Sequence, residues 1–167
     1  MPASTRKVKL VESLRAELTR ELEASRRRAQ DAAAAATHEE NRPESDKDMR
    51  STEASYVARG QVERVREMEQ ALARLATMPV RDLGQGDAIV VSAIVKVRHD
   101  STLTTYFVVP AAGGVRLRDG KNEVQTLATT SPLGAALLGL SQGDEAEVTT
   151  PHGKTPMTRL FEIMHVS

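Results

Sequence analysis

The sequence predicts an α+β protein, with a long antiparallel helical hairpin (a coiled coil) over residues 1–78 and a compact antiparallel β domain with one short helix over residues 79–167. Three observations carry this expectation. No glycine occurs before Gly60, and the preceding stretch is rich in Ala, Glu, Arg and Leu, the composition of long helices. From Ala88 onward the chain turns to β-branched and aromatic residues separated by Gly- and Asp-containing turns. Thr77-Met78-Pro79 marks the change between the two.

The first helix is read from a 3,4 apolar spacing through Val8, Val11, Arg15, Leu18, Leu22, Ser25, Ala29, Ala32 and Ala36. A second seam runs through Ala54, Ala58, Gln61, Val65, Met68, Leu72 and Leu75, with Gln61 its polar exception. Between them the polar segment 37–50 contains Pro43, which ends one helix or begins the next, and is expected to form the tip. Ser45 followed by Asp48 resembles a capping box and starts the second helix near Asp46. Each arm then has about 30 residues, or ~45 Å of helix.

Strands are expected over 89–97, 103–109, 124–129, 145–150 and 157–166. Turns are expected at His99-Asp100-Ser101, Ala112-Gly113-Gly114 and Asp119-Gly120-Lys121-Asn122. One helix interrupts the strands. Ser131 is a good N-cap, Pro132 suits the first helical position, and Gly139 ends a turn built on Ala135-Ala136-Leu137-Leu138.

Composition narrows the function. A chain of 167 residues has room for two small domains, not for a multi-domain enzyme. The absence of cysteine excludes disulfides, thiolate metal sites and a cysteine nucleophile, and favours a cytoplasmic setting. No stretch approaches a membrane span and the N-terminus has no apolar leader, so a soluble, unprocessed monomer is expected. His38, His99, His152 and His165 have no ligand spacing, and no Walker, Rossmann or Gly-x-Ser-x-Gly pattern occurs. Net charge is zero but unevenly spread. Bases outnumber acids eight to four over 6–30, ending in Arg26-Arg27-Arg28, while acids outnumber bases six to three over 37–53. A basic stem leads to an acidic tip.

The run Ser131-Pro132-Leu133-Gly134-Ala135-Ala136-Leu137-Leu138-Gly139, followed by Gly143-Asp144 and Pro151-His152-Gly153, resembles the C-terminal signature of the Gre transcript-cleavage factors, shared with the related regulator of nucleoside diphosphate kinase. The resemblance implies an FKBP-like C-terminal domain that docks on bacterial RNA polymerase at its secondary channel, with Ser131, Pro132, Leu133, Gly134 and Leu137 as polymerase-binding residues. It further implies that the hairpin enters the channel and that acidic tip residues help hold a Mg2+ ion there, stimulating cleavage at the RNA 3′ end of backtracked complexes. Two-metal phosphoryl chemistry needs carboxylates for its hard cations. The polymerase supplies the other ligands, so no independent enzymatic activity is implied.

Family cleavage factors carry Asp and Glu three residues apart before an Ala-x-Tyr element, matched here by Ala54-Ser55-Tyr56. Counting back from Tyr56, the acids should fall at Met49 and Thr52; the neighbouring acids are Asp48 and Glu53, with Glu44 and Asp46 as alternates. Asp48 and Glu53 are therefore the candidate catalytic and metal-binding pair. Acids beside a helix N-terminus also serve the helix itself by meeting its exposed N–H groups. Arg26, Arg27 and Arg28 are candidates for RNA contact, weighed against a solvated helix face. The displaced acids keep a second reading open, a non-catalytic secondary-channel regulator or inhibitor. A third, prolyl isomerisation, is disfavoured because such pockets are lined by aromatics and this domain offers only Tyr106, Phe107 and Phe161.

Overall fold

A computed structural model of the chain describes residues 3–40, 47–152 and 155–167. Two compact units result, one made of Met1–Leu14 with Arg74–Ser167, the other of Arg15–Ala73.

The unit Arg15–Ala73 holds most of two helices, α1 (Ala3–Glu40) and α2 (Lys47–Ala76). Six residues join them. At about 3.5 Å per residue that link is too short for the ~45 Å crossover a parallel pair of this length needs, so the helices run antiparallel. Leu18, Leu22 and Ser25 of α1 and Met68 of α2 are buried along the expected seam, and Ala29, Ala32, Ala36, Ala58, Gln61, Val65 and Leu72 are half-buried on it. Ion pairs Arg26–Glu69 (2.7 Å) and Arg64–Glu21 (3.5 Å) cross between the helices. The polar stretch 37–50 expected as the tip is partly helical: α1 continues through Glu40, and α2 begins at Lys47. Nothing before Pro43 breaks a helix, and Thr37 returns its hydroxyl proton to the Ala33 carbonyl at 3.0 Å.

At the base of α1 the seam differs from expectation. Val8 is exposed and Arg15 faces solvent, whereas Lys7, Leu10 and Leu14 are buried. This part of α1 belongs to the other unit, so its buried face is set by that unit and not by the continuation of the coiled coil. Arg6 Nε donates to Asp119 at 2.7 Å, and Lys7 Nζ donates to the Arg81 carbonyl at 2.7 Å. Desolvation holds the Lys7 ammonium below its ordinary value of 10.5, opposed in part by Asp82 and reinforced by Arg6. As pH falls below 10.5 the unfolded chain therefore takes up this proton before the folded chain does, and stability drops until the folded value is passed. We expect urea titrations of wild type and Lys7→Met to show this alkaline slope in wild type and to lack it in the variant.

The sheet of the same unit has the order β3-β4-β2-β1-β6-β5. Its strands are β1 (Ile94–His99), β2 (Thr102–Val109), β3 (Arg116–Asp119), β4 (Asn122–Ala128), β5 (Glu145–His152) and β6 (Thr155–Val166). The expected α+β class holds. The sheet is mixed and not purely antiparallel, because β2 and β4 pair in parallel, Tyr106 with Gln125 through Val109 with Ala128. The expected first strand is also shorter: Ile89–Ala93 is irregular, with Ile89 bonded through its backbone to Gly139 and Leu140, and Ser92 at φ 75°. Ile89, Val95, Val97, Val108, Leu127, Leu137, Ala146, Ile163 and Val166 form one continuous core. On the other face of the sheet Ile94, Phe107, Val109, Leu117 and Val124 are equally buried.

Candidate functional site

Helix α3 (Pro132–Leu137) is short and begins immediately after β4. Ser131 caps it: its Oγ accepts from the Gly134 N–H at 3.0 Å and donates to the Ala128 carbonyl at 2.7 Å. Pro132 sits at the first turn, where its missing N–H costs nothing. Gly134 is buried, and Leu137 is fully enclosed in the core. Leu133 is half-buried against that core, and Pro132 is exposed. Of the five candidate docking residues, Pro132 and Leu133 thus offer surface, while Ser131, Gly134 and Leu137 hold the turn in place.

Ser131, Pro132 and Leu133 line a cleft of about 500 Å³ with Tyr106, Leu127 and Phe161. That volume is sufficient for one or two apolar side chains of a partner. His99 also lines it, stacking on Phe161 with ring centroids 4.7 Å apart and with its Nδ1 2.8 Å from the Leu160 carbonyl. Arg159, Thr102, Thr104 and Thr150 add polar residues to its lining. Tyr106, Phe161, His99 and Arg159 were not singled out as a group by sequence reasoning, because they lie on three strands, β2, β6 and β1, that only the sheet order brings together. Of the aromatics weighed for an isomerase pocket, Phe107 points to the other face and is fully buried.

The stem and tip residues fall differently. Arg26 pairs with Glu69, and Arg28 pairs with Glu21 at 3.0 Å and also donates to the Ala24 carbonyl at 3.3 Å. Arg27 is exposed. The triplet is therefore largely committed to the helical pair, with Arg27 its outward member. Glu44 and Asp46 lie outside the described residues. Asp48 is in the first turn of α2 and Glu53 is exposed farther along it. On that continuous helix five residues turn through about 140°, so the two positions lie on different sides of the axis. Thr52, Ser55, Tyr56 and Arg59, by contrast, share one face and line a shallow depression of about 270 Å³, with Tyr56 72% exposed. Among the described residues no group of three or more His, Asp or Glu side chains converges on a metal-sized space.

The β domain following the helical pair, with its capped Ser131–Gly134 turn beside an apolar cleft, defines a domain type that known proteins share. The family model "Transcription elongation factor, GreA/GreB, C-term" matches residues 85–167, and by this domain the chain belongs to the GreA/GreB transcription elongation factor family. A transcription elongation factor GreA from Thermomicrobium roseum is 30% identical over 100 residues, covering 60% of this chain and 60% of that relative's length. Among solved structures, Gfh1 from Thermus aquaticus aligns over 93% of this chain and 94% of its own at 22% identity and a TM-score of 0.38. A GreA/GreB factor from Nitrosomonas europaea aligns over 69% of this chain and 92% of its own at 19% identity and a TM-score of 0.34.

Proposed function

We propose that this protein binds RNA polymerase at the secondary channel and regulates transcription elongation by stimulating cleavage of RNA in backtracked complexes. The observation that carries the docking half is the Ser131–Leu133 turn, which sets one exposed and one half-buried apolar residue at the mouth of the 500 Å³ cleft in a Gre-family domain. Pro132 and Leu133 seat the polymerase. Ser131, Gly134 and Leu137 keep the turn rigid, so little conformational freedom is lost on binding.

The cleavage half rests on the acidic character of the tip. Carboxylates are the hard oxygen donors magnesium takes, and that ion commonly uses one or two of them with water and phosphate oxygens filling its shell. Asp48 and Glu53 fit in kind, and their positions stand about 140° apart around α2. Such an ion would supply charge stabilisation to attacking and leaving oxygens. The protein's part is to carry a carboxylate into the polymerase and hold it there. A non-catalytic channel regulator is favoured by a specific observation, that Met49 and Thr52 stand where family cleavage factors carry acids.

Binding of the full chain to core RNA polymerase tests the docking assignment. Pro132→Ser with Leu133→Ala is expected to weaken affinity about tenfold or more, ~1.4 kcal/mol, while the far-UV circular dichroism spectrum stays unchanged. Equal affinity of variant and wild type would remove the cleft from the interface.

A further inference from the structure

On the face of the sheet opposite the cleft, Thr105 of β2, Lys96 of β1 and His165 of β6 are direct cross-strand partners, forming one row across three strands. They line a second cavity, of about 310 Å³, together with Arg6 of α1, Asn122, Glu123 and Ser167. All of these residues belong to the unit Met1–Leu14 with Arg74–Ser167. Ile94 and Val124 contribute an apolar wall.

The charge arrangement of this row is unusual for a sheet. Charged residues facing each other across strands are normally of opposite sign, and the neighbouring rung obeys this with the Arg98–Glu162 ion pair. The Lys96–His165 rung has no carboxylate. Between the two rungs the β1–β6 register shifts at Lys96/Val97, a bulge of the kind that re-aims a side chain. Two acids at the cavity are already paired: Asp119 with the lining Arg6 at 2.7 Å, and the lining Glu123 with Arg116 at 3.6 Å. Lys96 has no carboxylate partner among the described residues. The hydroxyl of Ser167 is buried with no hydrogen-bond partner, a state that costs free energy unless something meets it.

An ammonium, an imidazole that presents at least one N–H, a side-chain amide and two hydroxyls thus line the cavity from β1, β2, β4, β6 and the segment after it, beside the Arg6 guanidinium already paired with Asp119 and the Glu123 carboxylate already paired with Arg116. A tetrahedral group with three or more acceptor oxygens can take up more of these donors than a carboxylate with two coplanar oxygens can. The cavity has room for more than the anionic group alone. We propose that the cavity lined by Arg6, Lys96, Thr105, Asn122, His165 and Ser167 binds a small phosphate-bearing molecule. The site is independent of the cleft and of the tip.

Titration calorimetry of the full chain at constant ionic strength tests this, with orthophosphate, pyrophosphate and adenosine monophosphate as separate probes. Wild type is expected to bind at least one of them saturably. Lys96→Ala and His165→Ala, both at exposed positions, are expected to bind at least tenfold more weakly with unchanged melting temperatures in the absence of ligand. Lys121→Ala, in the β3–β4 turn, is expected to bind as wild type does. Equal affinity for orthophosphate and the nucleotide assigns the site to the phosphate group alone, and tighter nucleotide binding brings in the Ile94–Val124 wall; both support the proposal. No saturable binding by wild type, or equal binding by wild type and Lys96→Ala, overturns it.

Discussion

Gly134→Ala is expected to lower the stability of the β domain by about 3 kcal/mol or more, one of the largest single-substitution effects available in this chain. A Cβ at this position would lie 2.0 Å from the Ala128 carbonyl oxygen and 2.9 Å from both its carbon and the Ser131 hydroxyl. The nearest obstacle is backbone at the end of β4, and that backbone is fixed on both sides. The Ala128 carbonyl already accepts from Ser131 Oγ at 2.7 Å and from the Ser131 N–H at 3.0 Å. Around the same residue, a Cβ at Gly113 would meet the Ala128 nitrogen at 2.8 Å. Relief would require α3 to lift from β4, which drags Leu137 out of a core where it is fully buried. A rotamer change cannot absorb the clash. The chain has two tyrosines and no tryptophan, so Tyr106 fluorescence in a Tyr56→Phe background reports the domain during urea unfolding. Gly60→Ala is the control: nothing lies within 4 Å of its Cβ in mid-helix, and the substitution should stabilise α2 by about 0.5–1 kcal/mol. Comparable midpoints for wild type and Gly134→Ala would show that the turn yields more easily than its hydrogen bonds imply.

What local rules govern was readable before the structure. Ser131 caps α3, Pro132 opens it and Gly139 follows it at φ 83°, because capping and turn chemistry depend on a few adjacent residues. The seam from Leu18 to Ala36 is right for a similar reason: the partner helix is the next element and the apolar period reports it. Below Leu14 the period still runs but misassigns the buried face, since Lys7, Leu10 and Leu14 belong to the unit of the β domain and Lys7 bonds a residue more than 60 positions away, Arg81. A lysine in a core position carries no apolar signal at all. The parallel β2–β4 pairing and the short strand β3 were missed likewise. Strand periodicity says which residues alternate, not which strand lies alongside, and Arg116–Asp119 alternates with only Leu117 buried. The cleft shows the same limit. Its signature turn stands out in the sequence, while Tyr106, Phe161 and Arg159 become its neighbours only through the sheet order.

Asp48→Asn combined with Glu53→Gln is expected to abolish stimulated RNA cleavage, lowering its rate by at least about 100-fold, ~2.7 kcal/mol of barrier, with polymerase affinity within about twofold of wild type. The two effects separate because the docking residues Pro132 and Leu133 belong to a different compact unit from the acids. Neutral amides of the same shape keep the helix and remove the charge that a hard cation requires. The single variants sharpen the argument. Because the two positions lie about 140° apart around α2, they are not interchangeable, and one single variant should carry nearly the whole loss while the other stays close to wild type. Equal partial losses would instead mean that both carboxylates act at a distance, through the general negative potential of the tip. That alternative has its own signature, since a screened long-range effect shrinks as ionic strength rises and a direct ligand's effect does not. The measurement is cleavage of 3′-labelled RNA in stalled, backtracked complexes over a magnesium titration, at low and high salt. If wild type binds polymerase and competes with an active cleavage factor yet releases no labelled fragment at any magnesium concentration, then Met49 and Thr52, at the positions family cleavage factors fill with acids, mark the protein as a regulator that occupies the channel without chemistry.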